Sequence, residues 1–232
     1  MERRTLWWIA TAAIAAACYA ALWVGITLHW AWLNSIDSGV LNPLHTYGVK
    51  HPGWVRFWDG LSTVFGPEAF RLIGAAAIIV AVLRRNLRVV LFGLTTIELN
   101  GAVAQFAKNL ADRPRPAGAL TGAASSAFPS GHAVAVMAGV LALLTISAAM
   151  FTPRRRTVAI ALGAVLVIAI GAARVILNVH YPSDVVAGWA LGYLWYFVCL
   201  VVIRPGKVVI RPGKPHLDAA SQLDPYPAQC RP

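Results

Sequence analysis

Six apolar stretches of near-membrane length, separated by short basic clusters, constrain this chain more than any other feature. They fall at roughly 5–28, 65–83, 89–108, 131–151, 157–175 and 184–203. At about 1.5 Å per residue, each crosses or nearly crosses a hydrocarbon core of about 30 Å. Composition agrees, because 58% of the 232 residues are hydrophobic and only 12% are charged. A soluble domain carries about a quarter charged residues. The expected fold is therefore all-α, a polytopic membrane bundle of six transmembrane helices. A bundle domain over 1–203 would be followed by a basic, Pro-rich tail over 204–232 that is expected to be disordered.

The net charge of +11 would suggest nucleic acid in a soluble protein. Here the cations alternate with the spans instead, and no nucleic-acid partner is expected. Arg3 and Arg4 precede span one, Arg84, Arg85 and Arg88 separate two and three, and Arg154 to Arg156 separate four and five. Arg204, Lys207, Arg211 and Lys214 follow six. The positive-inside rule makes all four places cytoplasmic. Both termini then lie inside and the remaining loops outside. Glu2-Arg3-Arg4 before an apolar run also resembles a signal peptide, but the run reaches Leu28, long enough for an uncleaved first helix. The outer loop at about 29–64 carries Trp30, Trp32, Trp54 and Trp58 and reads as an interfacial segment, either a plain connector or a guide for substrate. Cys18, Cys199 and Cys230 show no metal-ligand or disulfide spacing and read as structural. A seven-residue tandem repeat over 201–214 supplies basic residues that could meet anionic lipid heads.

The outer ends of the spans carry an unusual polar set. Counting from the cytoplasmic arginines, Lys108 is 20 residues beyond Arg88, and His132 is 22 before Arg154. Arg174 is 18 beyond Arg156, and Asp184 is 20 before Arg204. All four lie roughly 27–33 Å from the inner boundary. Four residues from four helices thus share one depth, although depth alone does not bring them together laterally. Arg and Lys suit the charged oxygens of a phosphate ester. Ser130 and Gly131 stand where span four begins, after Pro129, so free helix N-terminal amides form an anion site there. Of two histidines near a carboxylate, one can attack phosphorus while the other protonates the leaving oxygen. Asp184, four residues after His180, can orient its ring. No acidic cluster offers ligands for a hard cation, so neither metal nor cofactor is expected.

Lys108-X6-Arg115-Pro116, then Pro129-Ser130-Gly131-His132, then Arg174-X5-His180-X3-Asp184 resembles the three-part signature of the type 2 phosphatidic acid phosphatase superfamily. The motifs cover about 108–184, and the six-span plan extends the resemblance over about 5–203. The resemblance implies that His180 is the nucleophile, forming a phosphohistidine, that Asp184 assists it, and that His132 is the general acid. It implies that Lys108, Arg115, Ser130, Gly131 and Arg174 hold the phosphate. Its usual Ser before the third-motif arginine is Ala173 here, which removes either a phosphate contact or a packing contact.

Other polar residues carry separate expectations. Arg71 and Glu98 fall inside the hydrocarbon by the same counting, where charges are costly and usually paired. The expectation is an ion pair locking spans two and three; the alternative is a polar lining for the substrate path. Arg113 is either a substrate contact or a solvated surface residue. His29, His45 and His51 are expected to be solvated. The leading function is hydrolysis of a lipid phosphate or diphosphate in the outer leaflet of the plasma membrane, with a membrane lipid as partner. The candidates are a polyprenyl diphosphate, phosphatidic acid and phosphatidylglycerol phosphate. Capture of the phosphohistidine by another acceptor, a phosphotransferase reaction, would use the same residues. A non-catalytic transporter or lipid-binding protein would need more polar residues along the spans. A vanadate-binding haloperoxidase relative is disfavoured by six spans. Oligomeric state is not encoded in any of these features.

Overall fold

A computed structural model describes residues 2–122 and 125–205. The seven-residue repeat and the expected disordered tail lie almost wholly outside the described residues. Nine α-helices form: α1 (Glu2–Thr27), α2 (Ala31–Lys50), α3 (Pro52–Val64), α4 (Pro67–Leu83), α5 (Leu87–Gly93), α6 (Asn100–Ala111), α7 (Gly131–Ser147), α8 (Pro153–Ile176) and α9 (Pro182–Ile203). No strand occurs among the described residues. Proline sets several starts: Pro52, Pro67, Pro153 and Pro182 open α3, α4, α8 and α9, where a missing N–H costs nothing.

Among the described residues, five helical segments are long and apolar enough to cross a membrane: Leu6–Thr27, Pro52–Leu83, Leu87–Ala111, Pro153–Ile176 and Pro182–Ile203. The stretch expected at 131–151 is a 17-residue helix, shorter than the others. At about 1.5 Å per residue it covers about 25 Å. This short helix is the centre of the bundle. Val134, Val136, Ala138 and Ala142 of α7 are all fully buried. The main core joins Val136 and Ala142 to Phe70 of α4, Phe92 of α5, Ile170 of α8 and Tyr196 of α9. By contrast Leu72, Leu83, Leu162 and Val202 on the outer helices are largely exposed, as lipid-facing side chains are.

Two glycines bring α9 against α7. A Cβ on Gly188 would lie 2.7 Å from the Ser130 carbonyl oxygen, and one on Gly192 would lie 2.6 Å from that of Val134. Gly188-X3-Gly192 is thus a small-X3-small contact that lets the two backbones touch. The touch continues at the helix starts, where the Ser130 amide donates to the Asp184 carbonyl at 2.9 Å.

Between α5 and α6 the helix widens into a π turn at Leu94–Glu98, with the Leu99 amide bonded to the Leu94 carbonyl. The displaced carbonyls are satisfied by side chains. Trp195 Nε1 donates to Thr95 O at 2.9 Å, and the Asn100 amide donates to Ile97 O at 2.6 Å. Such turns recur at functional sites.

The outer stretch at 29–64 is not a plain connector. It folds into α2 and α3 and delivers Asp37 and Ser62, each 1% exposed, into the bundle. The expected Arg71–Glu98 ion pair does not form. Arg71 pairs instead with Glu68, one turn earlier on α4, at 2.8 Å. Glu98 packs beside Gly74, and its buried Oε1 has no hydrogen-bond partner among the described residues. The extra residue of the π turn rotates the following face by about 100°, so depth alone could not give its direction.

Candidate active site

The C-terminal ends of α6 and α8 and the N-terminal ends of α7 and α9 converge on one cavity of about 340 Å³. Lys108, Arg115, Gly131, His132, Arg174 and His180 all line it. The lateral convergence that depth could not supply is therefore present. Ser130 and Asp184 stand behind the wall, both fully buried.

Each cation is held by its neighbours. Lys108, in the last turn of α6, donates to the Ser126 carbonyl at 2.5 Å and to Ser125 Oγ at 3.3 Å. Asp112, at φ 42°, ends that helix and turns the chain toward Arg113 and Arg115. Arg115 Nε donates to the Ser125 carbonyl at 2.8 Å, and its NH1 donates to Val179 O at 2.6 Å. The same NH1 lies 3.3 Å from His180 Nε2. Arg174, in the last turn of α8, donates to Ser62 Oγ at 3.0 Å, and its buried Nε has no partner among the described residues.

Two further orphans point to a missing anion. Ser130 Oγ is buried and unpartnered among the described residues. The first amides of α7, which it caps, receive no side-chain bond from it. Buried polar groups are nearly always bonded, so a hydroxyl and a guanidinium N–H left open together mark a ligand position. An ester phosphate would satisfy both.

His180 is 2% exposed. Burial pushes its imidazole down to about 4, against the pull of Asp184. Its Nδ1 lies 3.6 Å from Asp184 Oδ2, beyond hydrogen-bond reach but close enough to favour the proton on that nitrogen. Nε2 is then a lone pair facing Arg115. Asp184 itself is saturated: Oδ2 accepts the Tyr181 amide at 2.8 Å, and Oδ1 accepts Arg113 NH1 at 2.6 Å.

Arg113 corrects the sequence reading, in which it was a substrate contact or a solvated residue. It bridges two buried carboxylates, Asp184 and, at 2.8 Å, Asp37 of α2. The contacts with the two carboxylates raise its pKa against the effect of burial. The Tyr181 ring covers its guanidinium at 4.0 Å. Asp37 also accepts the Ser183 amide and hydroxyl at 3.0 and 2.6 Å. The doubled Arg-Pro at 113–116 was the only sequence signal that one arginine could serve substrate and the other the frame.

Among the remaining expectations, His29 and His51 are exposed and His45 is half-buried. His51 stacks on Tyr47 with ring centroids 3.9 Å apart. Ala173 is fully buried and is not among the residues lining the cavity. Cys18 and Cys199 are free thiols.

Fold and cavity define a multi-pass helical membrane protein whose helix ends build a cavity lined by Lys108, Arg115 and Arg174. The chain belongs to the PAP2 superfamily, whose family model matches residues 88–206. Phosphatidylglycerophosphatase B of Bacillus subtilis is 26% identical over 193 residues, covering 82% of this chain and 85% of that one. The lipid A 1-phosphatase of Rhizobium etli is 33% identical over 120 residues, 47% of each chain. The undecaprenyl-diphosphatase of Sulfolobus acidocaldarius is 33% identical over 81 residues, 35% of each chain. A crystal structure of a transmembrane PAP2-type phosphatidylglycerolphosphate phosphatase from Bacillus subtilis shares the fold. Its TM-score is 0.66 at 22% identity, covering 82% of this chain and 94% of that one.

Proposed function

We propose that this protein is a membrane phosphatase that hydrolyses a lipid phosphate or diphosphate at the outer leaflet of the plasma membrane through a phosphohistidine on His180. The observation that carries the reading is the buried His180, with Nε2 turned to Arg115 and Nδ1 toward Asp184. Three relatives that carry phosphatase names support it.

In this reading Lys108, Arg115, Arg174, Ser130 and the amides at Gly131 hold the phosphoryl oxygens, and their preorganised charge supplies the largest catalytic term. His180 Nε2 attacks phosphorus. The N–P bond forms as the P–O bond to the leaving group breaks. His132 gives its proton to the departing oxygen, and the substrate's negative charge favours the protonated form it needs. Asp184 stabilises the charge that develops on the His180 ring. His132, now neutral, takes a proton from water. The water oxygen attacks phosphorus, the N–P bond breaks, and inorganic phosphate leaves. No metal is needed, because guanidinium and ammonium groups meet the phosphate charge and both buried carboxylates are engaged by Arg113.

The direction of the helices supports an outward-facing site. α6 and α8 end at the cavity and α7 and α9 begin there, so Arg84 and Arg85, Arg154 to Arg156, and Arg204 all stand at the other end. Six crossings, with α7 as the short fourth, put these cations in the cytoplasm together with both termini.

Phosphate release from a panel of lipid phosphates, measured on purified protein with chelator present, tests the reading. Turnover should persist in chelator. His180→Ala should lose on the order of 10⁴-fold or more of it while still binding substrate. Unchanged turnover in that variant would remove His180 as the nucleophile.

A further inference from the structure

The cavity does not end at the residues that hold the scissile phosphate. It continues along one face of α6, past Ala104 and Gln105 to Gly101, and onto the first turns of α4 at Glu68 and Arg71. Gly101 precedes Lys108 by seven residues, two helical turns or about 10 Å along the axis.

Three observations give this extension a chemical character. First, it adjoins His132: a Cβ on Gly66, the residue that caps α4, would lie 3.5 Å from His132 Nε2. The group that His132 protonates therefore faces the start of α4. Second, that start is open. Gly66 has no side chain to bond the amides that follow Pro67 at the start of this 17-residue helix. Third, Arg71 stands one turn further on, and its guanidinium lies across Gly101, where a Cβ would be 2.8 Å from the terminal nitrogen. A side chain at position 101 would move the arginine's tip aside. Its partner Glu68 does not commit it. The two side chains are 42% and 75% exposed, and exposed pairs of this kind are worth about 0–1 kcal/mol. An incoming anion can displace the carboxylate into water.

We infer that Arg71 and the open N-terminus of α4 form a second anion subsite that binds a charge on the leaving group. The substrate is then one whose leaving group is itself a phosphate. Two chemistries share that property: a diphosphate, and a phosphomonoester on a lipid headgroup that already carries a phosphodiester. A lipid monophosphate whose leaving group is an uncharged diacylglycerol does not have it. This inference rests on the phosphatase reading and deepens it.

The test compares wild type with Arg71→Ala in detergent on three substrates of matched solubility. These are dioctanoyl phosphatidic acid, dioctanoyl phosphatidylglycerol phosphate and farnesyl diphosphate. The expected result is at least a tenfold loss of kcat/KM on one or both two-phosphate substrates and less than a twofold change on phosphatidic acid. Loss on the diphosphate alone, or on the headgroup diester alone, assigns the subsite to that source. Equal loss on all three, or no loss on any, overturns it. A binding arm keeps the subsite separable from turnover. Methylenediphosphonate, which cannot be hydrolysed, should raise the melting temperature of wild type more than inorganic phosphate does. Arg71→Ala should abolish that difference and keep the response to phosphate. If wild type releases phosphate from nothing, the phosphatase reading fails while the binding arm still decides the subsite. An unchanged diphosphonate response in Arg71→Ala overturns it there too.

Discussion

Arg113 carries two buried carboxylates on one guanidinium, an arrangement in which removing the cation is far worse than never having it. Arg113→Ala leaves Asp37 and Asp184 unpaired, each at most 1% exposed. Breaking a buried pair in this way costs about 3–5 kcal/mol. The unfolding free energy in detergent should fall by that order, and turnover should be lost even where folded protein survives. Asp37→Asn keeps the side chain's size and one accepting oxygen but sets an NH2 against the donors of Ser183 or Arg113. It should cost less stability than Arg113→Ala but still lower kcat, because Arg113 then shifts toward Asp184. His180 sets the pH response. Its imidazole is depressed in the folded protein to about 4, below the usual value of about 6.5. Between those values the unfolded chain binds the extra proton, so stability rises with pH across that window. The contribution is complete above about 6.5 and is lost as pH falls through about 4. Denaturant titrations from pH 4 to 7 should show a steeper slope in wild type than in His180→Gln. The acidic limb of kcat/KM should likewise lie below the ordinary histidine range.

The packing of α7 on α9 brings the motif residues together, and that packing depends on two absent side chains. Gly188→Leu or Gly192→Leu places atoms where the Ser130 and Val134 carbonyls stand. The cost should be at the upper end of the 1–3 kcal/mol usual for overpacking. Activity should fall with it, because the Ser130–Asp184 backbone bond separates. Gly39 in α2 and Gly60 in α3 meet nothing within 4 Å, so Gly→Ala at either should stabilise the protein by about 0.4–1 kcal/mol. Differential thermal melts separate the two groups. This scale also shows what the sequence could reveal. Apolar length located six helical stretches to within a few residues but read the stretch that forms α2 and α3 as an interfacial loop, and counting from the arginines put Lys108, His132, Arg174 and Asp184 at one level. Counting does not supply direction around a helix. Arg71 was therefore paired with Glu98 across the bundle, when Glu68 stands one turn away on the same face. Nor could it supply Asp37, which lies 76 residues from Arg113 and has no periodic signal to mark it.

At the scale of the whole molecule, orientation follows from which ends carry the fixed cations. Asp112→Cys and Arg155→Cys, each in a chain without its three native cysteines, should label differently with a membrane-impermeant thiol reagent on intact cells. Position 112 should react and position 155 should not, and the reverse would turn the protein over. One property of the cavity described above bears on the whole reaction cycle. Lys108, Arg115 and Arg174 meet in it, while Asp184 behind its wall is already shared with Arg113. A centre so rich in positive charge does not distinguish an esterified phosphate from the free one it produces. Orthophosphate should therefore linger after each cycle, and its departure, not bond cleavage, should limit the steady state. A rapid first turnover followed by a slower rate, with the slow phase quickened by salt, would be the kinetic trace of that retention.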